Sequence, residues 1–125
     1  MAITPLPATL AIDLKYTQYP GGPLVQSPPV AAAINTLVQS ADRMDLRGAG
    51  SINVDFAGVA AAGAKLVLVV FEAGTAAITL DYGTDTEELK PGGVFLVYNP
   101  VPVAGRTALA INYTADSVVR TLVLG

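Results

Sequence analysis

The sequence contains no histidine, cysteine or tryptophan, and charged residues are scarce. Only 14% of its 125 residues are charged, against roughly 25% in an average globular chain. Without cysteine or histidine, the sequence excludes zinc fingers, haem and iron–sulfur ligation, disulfide frameworks and Cys–His nucleophile pairs. The seven Lys and Arg residues are too few and too scattered to form a surface that follows nucleic-acid phosphates.

Apolar residues are abundant instead. They make up 52% of the chain, and the net charge is -3, with a mean hydropathy of +0.52. The longest apolar stretch, residues 59–71, is interrupted by Lys65 and is shorter than the ~20 residues that a membrane span needs. We therefore expect other protein chains, rather than a membrane, to cover part of this surface, with a homotrimer as the predicted state.

Prolines cluster in residues 1–29. Proline has no backbone N–H to donate, so this composition disfavours an interior strand and predicts an extended arm and linker over residues 1–29. Extended segments of this kind bind neighbouring subunits through a few apolar anchors. We predict four anchors by residue type, namely Ile3, Leu6, Tyr16 and Tyr19.

Residues 30–41 follow a helical pattern. Ser27 is positioned as an N-cap before two prolines, and apolar residues then recur at helical spacing. This pattern predicts one short helix over residues 30–41. A strand over residues 34–38 is the alternative.

From residue 44 onward the pattern is that of β-structure. Seven or eight short segments alternate apolar and polar residues, separated by Gly-, Asn- and Pro-containing turns. Residues 65–72 are almost entirely apolar, which predicts a central strand buried on both faces. Residues 82–93 are interpreted as a longer polar loop. Strand spacings of about ten residues favour a single antiparallel β-sandwich over residues 30–125, either jelly-roll-like or immunoglobulin-like.

The densest polar cluster lies in residues 81–88. Asp81, Asp85 and Glu87 are the candidate ligands for a hard cation such as calcium. Their spacing does not match the twelve-residue calcium loop, so we interpret the segment as a solvated loop that keeps one end of a sheet soluble. We therefore predict no metal, no cofactor and no catalytic residue, and the chain is not expected to be an enzyme.

Two segments resemble parts of small bacteriophage virion proteins. Residues 89–100 (LKPGGVFLVYNP) are similar to the segment that leads into a central strand of those proteins, and residues 111–120 (INYTADSVVR) are similar to their penultimate turn. The resemblance covers roughly residues 50–125. It implies a capsid decoration (cement) protein or a small tail or fibre β-domain, commonly trimeric, and it assigns no catalytic residue.

The expected function is therefore that of a structural virion protein. It would form a homotrimer, bind the major capsid protein or another virion protein, and stabilise the head lattice after synthesis in the host cytoplasm. A tail, baseplate or fibre component is the first alternative. A small carbohydrate- or calcium-binding β-module is an alternative of another class. Neither nucleic acid nor a membrane is an expected partner.

Overall fold

The computed structural model describes residues 6–26, 30–36, 39–56 and 63–125. Within these ranges the regular elements are all β-strands, as the sequence predicts for the larger part of the chain. The chain divides into two compact units, Met1–Thr36 and Leu37–Gly125. No helix among the described residues is long and apolar enough to cross a membrane.

The first unit is built from two nested pairs of strands. Strand β1 (Leu6–Ile12) pairs with β4 (Val30–Thr36), and β2 (Lys15–Thr17) pairs with β3 (Leu24–Gln26); both pairs are antiparallel. The chain therefore runs outward through β1 and β2 and returns through β3 and β4. We call this long hairpin the N-terminal ribbon. Its tip turns at Gly21, which has a φ of 76°, and the Gly22 N–H donates to the Tyr19 carbonyl at 3.0 Å.

The prediction of a helix over residues 30–41 is wrong. Residues 30–36 form β4, and β5 (Gln39–Leu46) begins three residues later; residues 37 and 38 lie outside the described residues. Strand β1 supplies a hydrogen-bonding partner along the whole of β4, and this pairing overrides the local helical pattern. The first unit accordingly ends at Thr36, whereas the sequence places the end of the arm at residue 29.

In its described residues, the second unit is a β-sandwich of eight strands. After β5 come β6 (Gly50–Asn53), β7 (Leu66–Gly74), β8 (Ile78–Tyr82), β9 (Asp85–Leu89), β10 (Val94–Tyr98), β11 (Leu109–Tyr113) and β12 (Ser117–Leu124). The first sheet has the order β10-β7-β12-β5 and the second β6-β11-β8-β9. Every pairing is antiparallel.

The strand order is that of a jelly roll. Strand β5 pairs with β12, β6 with β11, β7 with β10 and β8 with β9, as if one long hairpin had been rolled up. Neighbouring turns of this roll are joined by the pairings β7–β12 and β8–β11, and two four-stranded sheets result. Of the two sandwich types that the sequence favours, the structure has the jelly roll.

The core lies between the two sheets. Strand β7 contributes Val67, Val69 and Phe71 from one side, and β8 contributes Ile78 and Leu80 from the other. Strand β7 is an interior strand, as predicted, but its second face is only partly buried, because Leu68 and Val70 keep some exposure. The core is therefore one layer between two sheets.

The predicted loop over residues 82–93 contains a strand that sequence reasoning missed. Residues 85–89 form β9, an edge strand paired only with β8. Its first four residues are exposed and polar, because an edge strand has solvent on one side and natural sheets place charges there.

Asp116 fastens the turn between β11 and β12 to the turn after β5. Its Oδ1 accepts a hydrogen bond from the Gly48 N–H at 2.6 Å, and its Oδ2 lies 3.4 Å from Arg47 Nη1. The Gly48 hydrogen bond lowers the pKa of Asp116 below its usual 3.8, and Arg47 acts in the same direction against partial desolvation. The ionised form is therefore the form that stabilises the fold.

We expect Asp116→Asn to lower the free energy of unfolding at neutral pH. A depressed carboxyl pKa stabilises the native state above pH 3.8, and this contribution disappears as pH falls towards the folded-state pKa. The difference in the free energy of unfolding between Asp116→Asn and the unsubstituted chain should therefore become smaller below that pH. Urea unfolding across an acid pH series measures it. Glu88→Gln is the control, and equal pH dependence in both variants would contradict the assignment.

Candidate functional site

The N-terminal ribbon carries an exposed apolar surface. Tyr16 is 50% exposed, Tyr19 60% and Leu24 71%. We define the ribbon surface as the exposed large apolar side chains among the described residues of this unit: Leu14, Tyr16, Tyr19, Leu24 and Val30. Tyr16 lies opposite Val25 and Leu24 opposite Thr17, so the ribbon surface includes both faces of the β2–β3 pair. Single exposed apolar residues are common on proteins, but a group of five on one hairpin marks that hairpin as an interaction element.

The same segment is almost free of charge. Asp13 and Lys15 are the only charged residues among the first 36, and they lie within 3.9 Å of each other as an ion pair. Asp13 also accepts a hydrogen bond from the Gln26 amide at 2.8 Å. The ribbon therefore presents little net charge to a partner.

Three of the four predicted anchors lie among the described residues. Tyr16 lies in β2 opposite Val25, and Tyr19 lies at the tip; both are exposed. Leu6 begins β1 opposite Thr36, and Ile3 lies outside the described residues. Leu14, Leu24 and Val30 were not among the predicted anchors. A hydrophobicity count over the whole hairpin would have found them.

A second apolar surface lies on the outer face of the first sheet. Leu68 and Val70 of β7 lie beside Leu122 of β12 in a shallow groove. Strand β10 extends this surface through Leu96, opposite Leu68, and Val94, opposite Val70. We call these five residues the outer patch.

A charged cluster borders the outer patch. Glu72 pairs with Arg120 and also lies 3.4 Å from the Nε of Arg43, which in turn lies 3.7 Å from Asp45. Such exposed pairs contribute little to stability. They fix the position of charges at the rim of an otherwise apolar face.

The predicted cation ligands do not converge. Asp81 faces the outside of the second sheet, where it accepts hydrogen bonds from the Thr86 hydroxyl at 3.1 Å and the Asn112 amide at 2.8 Å. Asp85 and Glu87 lie opposite Tyr82 and Leu80 in the β8–β9 register, and directly opposed residues share one face of a sheet. The three carboxylates are thus divided between two faces, and the described part of the chain contains no cluster of three or more metal-binding side chains.

Asp85 and Glu87 instead line a pocket of 260 Å³ at the side of the sandwich. We call it the lateral pocket. Its lining comes from β8, β9, β10 and the loop before β11: Leu80, Tyr82, Asp85, Thr86, Glu87, Phe95, Val97 and Arg106. It opens where the edge strand of one sheet, β9, faces the edge strand of the other, β10.

Aromatic and charged groups meet in the lateral pocket. The Tyr82 and Phe95 rings stand edge to face, with centroids 6.3 Å apart. The Arg106 guanidinium lies over the Tyr82 ring, 5.4 Å from its centroid, and forms an ion pair with Asp85. The pocket therefore has an apolar wall, a hydrogen-bond donor and two carboxylates.

Gly83 allows the Arg106 loop to approach the β8–β9 turn. Its φ is +65°, and a Cβ at this position would lie 2.7 Å from the Gly105 carbonyl oxygen and 3.2 Å from Arg106 Cγ. A side chain here would be both strained and crowded. Glycine at this turn is therefore part of what places Arg106 over Tyr82.

Tyr82 should ionise at a higher pH than an ordinary tyrosine. Burial raises the pKa of its hydroxyl above 10.0, and the Arg106 charge offsets part of this effect. The neutral form is favoured in the fold, so its contribution to stability is complete below pH 10.0 and is lost as pH rises towards the folded-state pKa. We expect Tyr82→Phe to remove that part of the alkaline loss of stability, measured by urea unfolding. If the free energy of unfolding of Tyr82→Phe fell with rising alkaline pH as steeply as that of the unsubstituted chain, the assignment would be wrong.

The fold thus defines the second unit as a jelly-roll β-sandwich. No family model matches the chain, and no curated protein sequence matches it. Among solved structures, it is similar to a cupin superfamily protein from Desulfitobacterium hafniense DCB-2, with 12% sequence identity and a TM-score of 0.48. That likeness covers 94% of this chain and 77% of the other.

Proposed function

We propose that this protein is a structural virion protein of the capsid decoration type, which self-associates and stabilises a head lattice. The observation that carries the proposal is the N-terminal ribbon, a hairpin with five exposed large apolar side chains and one ion pair. Exposed large apolar side chains gain free energy when a partner covers them.

Burial of the ribbon surface against a partner supplies the free energy of association. Covering one large apolar side chain completely is worth ~1.5–3 kcal/mol. Part of the total is offset by the entropy lost on association and on ordering of side chains. Several such side chains on one hairpin are enough for a specific contact that does not depend on charge pairs, and moderate salt should therefore leave it intact.

The jelly-roll unit suits the role of a rigid body in such an assembly. Its core is continuous between the two sheets, and folds of this kind occur in viral capsid proteins. Fold alone does not define function. The proposal therefore depends on the ribbon, with the resemblance of residues 89–100 and 111–120 to phage virion proteins as additional support.

The outer patch supports self-association. It adds a second apolar surface to a chain whose charged residues are only 14% of the total, and the rim formed by Arg43, Glu72 and Arg120 can fix the register between copies. We propose a homotrimer. The major capsid protein, or another virion protein, is the proposed second partner.

Imaging of the particle tests this function. The chain would be tagged in its phage, and the purified virions would be examined by cryo-electron microscopy and mass spectrometry. We expect regularly arranged copies on the outer surface of the capsid. Copies confined to the tail would replace the decoration role with a tail or fibre role. Absence of the chain from purified particles would overturn the virion assignment.

A further inference from the structure

The lateral pocket has a composition that the assembly role does not require. Leu80 and Tyr82 line it but are only 0% and 4% exposed, so they support the pocket and offer little surface to a ligand. Phe95 and Val97 are half-buried and complete an apolar wall. A wall of this kind faces a ligand with at least one apolar side.

Polar groups of both kinds surround this wall. Glu87 offers carboxylate oxygens as acceptors, and none of the ion pairs among the described residues includes it. Arg106 offers N–H donors and is held in place by Asp85 and by the Tyr82 ring. Tyr82 also lines the pocket, and its hydroxyl, like that of any tyrosine, carries a proton at neutral pH and can donate a hydrogen bond.

The pocket has hydrogen-bond donors beside hydrogen-bond acceptors. It therefore favours a ligand with a group that can both donate and accept a hydrogen bond. A sugar hydroxyl can donate to Glu87 while accepting from Arg106, and the C–H face of a sugar ring can pack on Phe95. An organic cation would pair with Glu87 but would leave the N–H donors of Arg106 without an acceptor on the ligand. An organic anion would compete with Asp85 for Arg106 and would be repelled by Glu87.

Size restricts the ligand further. The pocket measures 260 Å³, below the ~300–1,000 Å³ typical of sites for drug-sized ligands. It accommodates one ring rather than an oligosaccharide. We propose that the lateral pocket binds a single neutral sugar residue, either as a free monosaccharide or as the terminal residue of a glycan.

This binding site is separate from the proposed assembly surface. Its lining belongs entirely to the jelly-roll unit, and it shares no residue with the ribbon surface or the outer patch. Loss of sugar binding would therefore leave assembly unaffected, and loss of assembly would leave the pocket formed. The two proposals fail independently.

The test is a titration of the full chain with neutral methyl glycosides, followed by NMR of the aromatic side chains. We expect at least one glycoside to shift the Tyr82 and Phe95 resonances with millimolar affinity. Glu87→Ala should weaken binding about tenfold, the value of one hydrogen bond to a charged group. Glu88→Ala is the matched control, because Glu88 lies opposite Thr79 on the other face of the second sheet.

A second arm identifies the source of the sugar. Polysaccharides that end in the best monosaccharide are compared with that monosaccharide alone, and tighter binding of the polysaccharide would indicate a glycan surface as the natural ligand. Shifts produced by tetramethylammonium but by no glycoside would overturn the proposal. So would an equal loss of affinity in Glu87→Ala and Glu88→Ala, or the absence of any glycoside-dependent shift.

Discussion

Phe71→Ala is expected to lower the free energy of unfolding by about 3–5 kcal/mol. Phe71 is 0% exposed and lies in the core cluster between the two sheets. Its ring also packs against Gly74, where an added Cβ would lie only 2.6 Å from it. The surroundings are held by two sheets and can collapse little into the cavity, so the loss should be near the upper end of the range.

Urea unfolding of the purified variant measures this effect. Val101→Ala is the matched control, because Val101 is 75% exposed and belongs to neither the ribbon surface nor the outer patch, and surface substitutions usually stay within ~0.5 kcal/mol. A loss for Phe71→Ala that is no larger than the loss for Val101→Ala would contradict the placement of the core.

The triple variant Tyr16→Ser, Tyr19→Ser and Leu24→Ser is expected to weaken self-association strongly while the jelly roll stays folded. The three side chains belong to the ribbon surface and are at least half exposed, so their replacement removes little packing within the chain. At ~1.5 kcal/mol or more for each side chain that a partner covers, the association constant should fall at least ~1,000-fold. Sedimentation velocity over a concentration series measures the change.

A matched control removes apolar surface elsewhere. Val101 and Val103 are also exposed, at 75% and 40%, but they lie in the loop after β10 of the jelly-roll unit. Val101→Ser with Val103→Ser should leave the association constant unchanged, and circular dichroism should show intact β-structure in both variants. Equal weakening by the two sets would show that the ribbon has no special role in assembly.

Local patterns of apolar and polar residues are sufficient to predict several of the strands. Strands β7, β10, β11 and β12 contain apolar residues at period two or in short continuous runs, and such patterns depend only on neighbouring residues. These strands confirm the prediction of a strand over residues 65–72 and of short β-segments from residue 44 onward. The all-β, antiparallel character of the sandwich follows from the same signal.

The pairing of distant strands was beyond local patterns. Strand β4 has alanines at positions 31–33 that suit a helix, and only its pairing with β1 makes it a strand. The choice between a jelly roll and an immunoglobulin-like sandwich likewise depends on β5 pairing with β12 across some 70 residues of sequence. No short segment carries that information.

The lateral pocket could not be predicted from the sequence for a related reason. Asp81, Asp85 and Glu87 form one acidic cluster in the sequence, but the tight β8–β9 turn at Gly83 places Asp81 on one face and the other two on the opposite face. Phe95 then reaches Tyr82 from another sheet. The fold therefore assembles the aromatic wall from residues far apart in sequence.

The mass of the unsubstituted chain in solution decides whether it self-associates. Sedimentation equilibrium at micromolar concentration should give a mass near three times the 12.8 kDa of one chain, unchanged by moderate salt because the contacts are apolar. A mass of one chain at every concentration tested would contradict the claim that the ribbon and the low surface charge serve self-association.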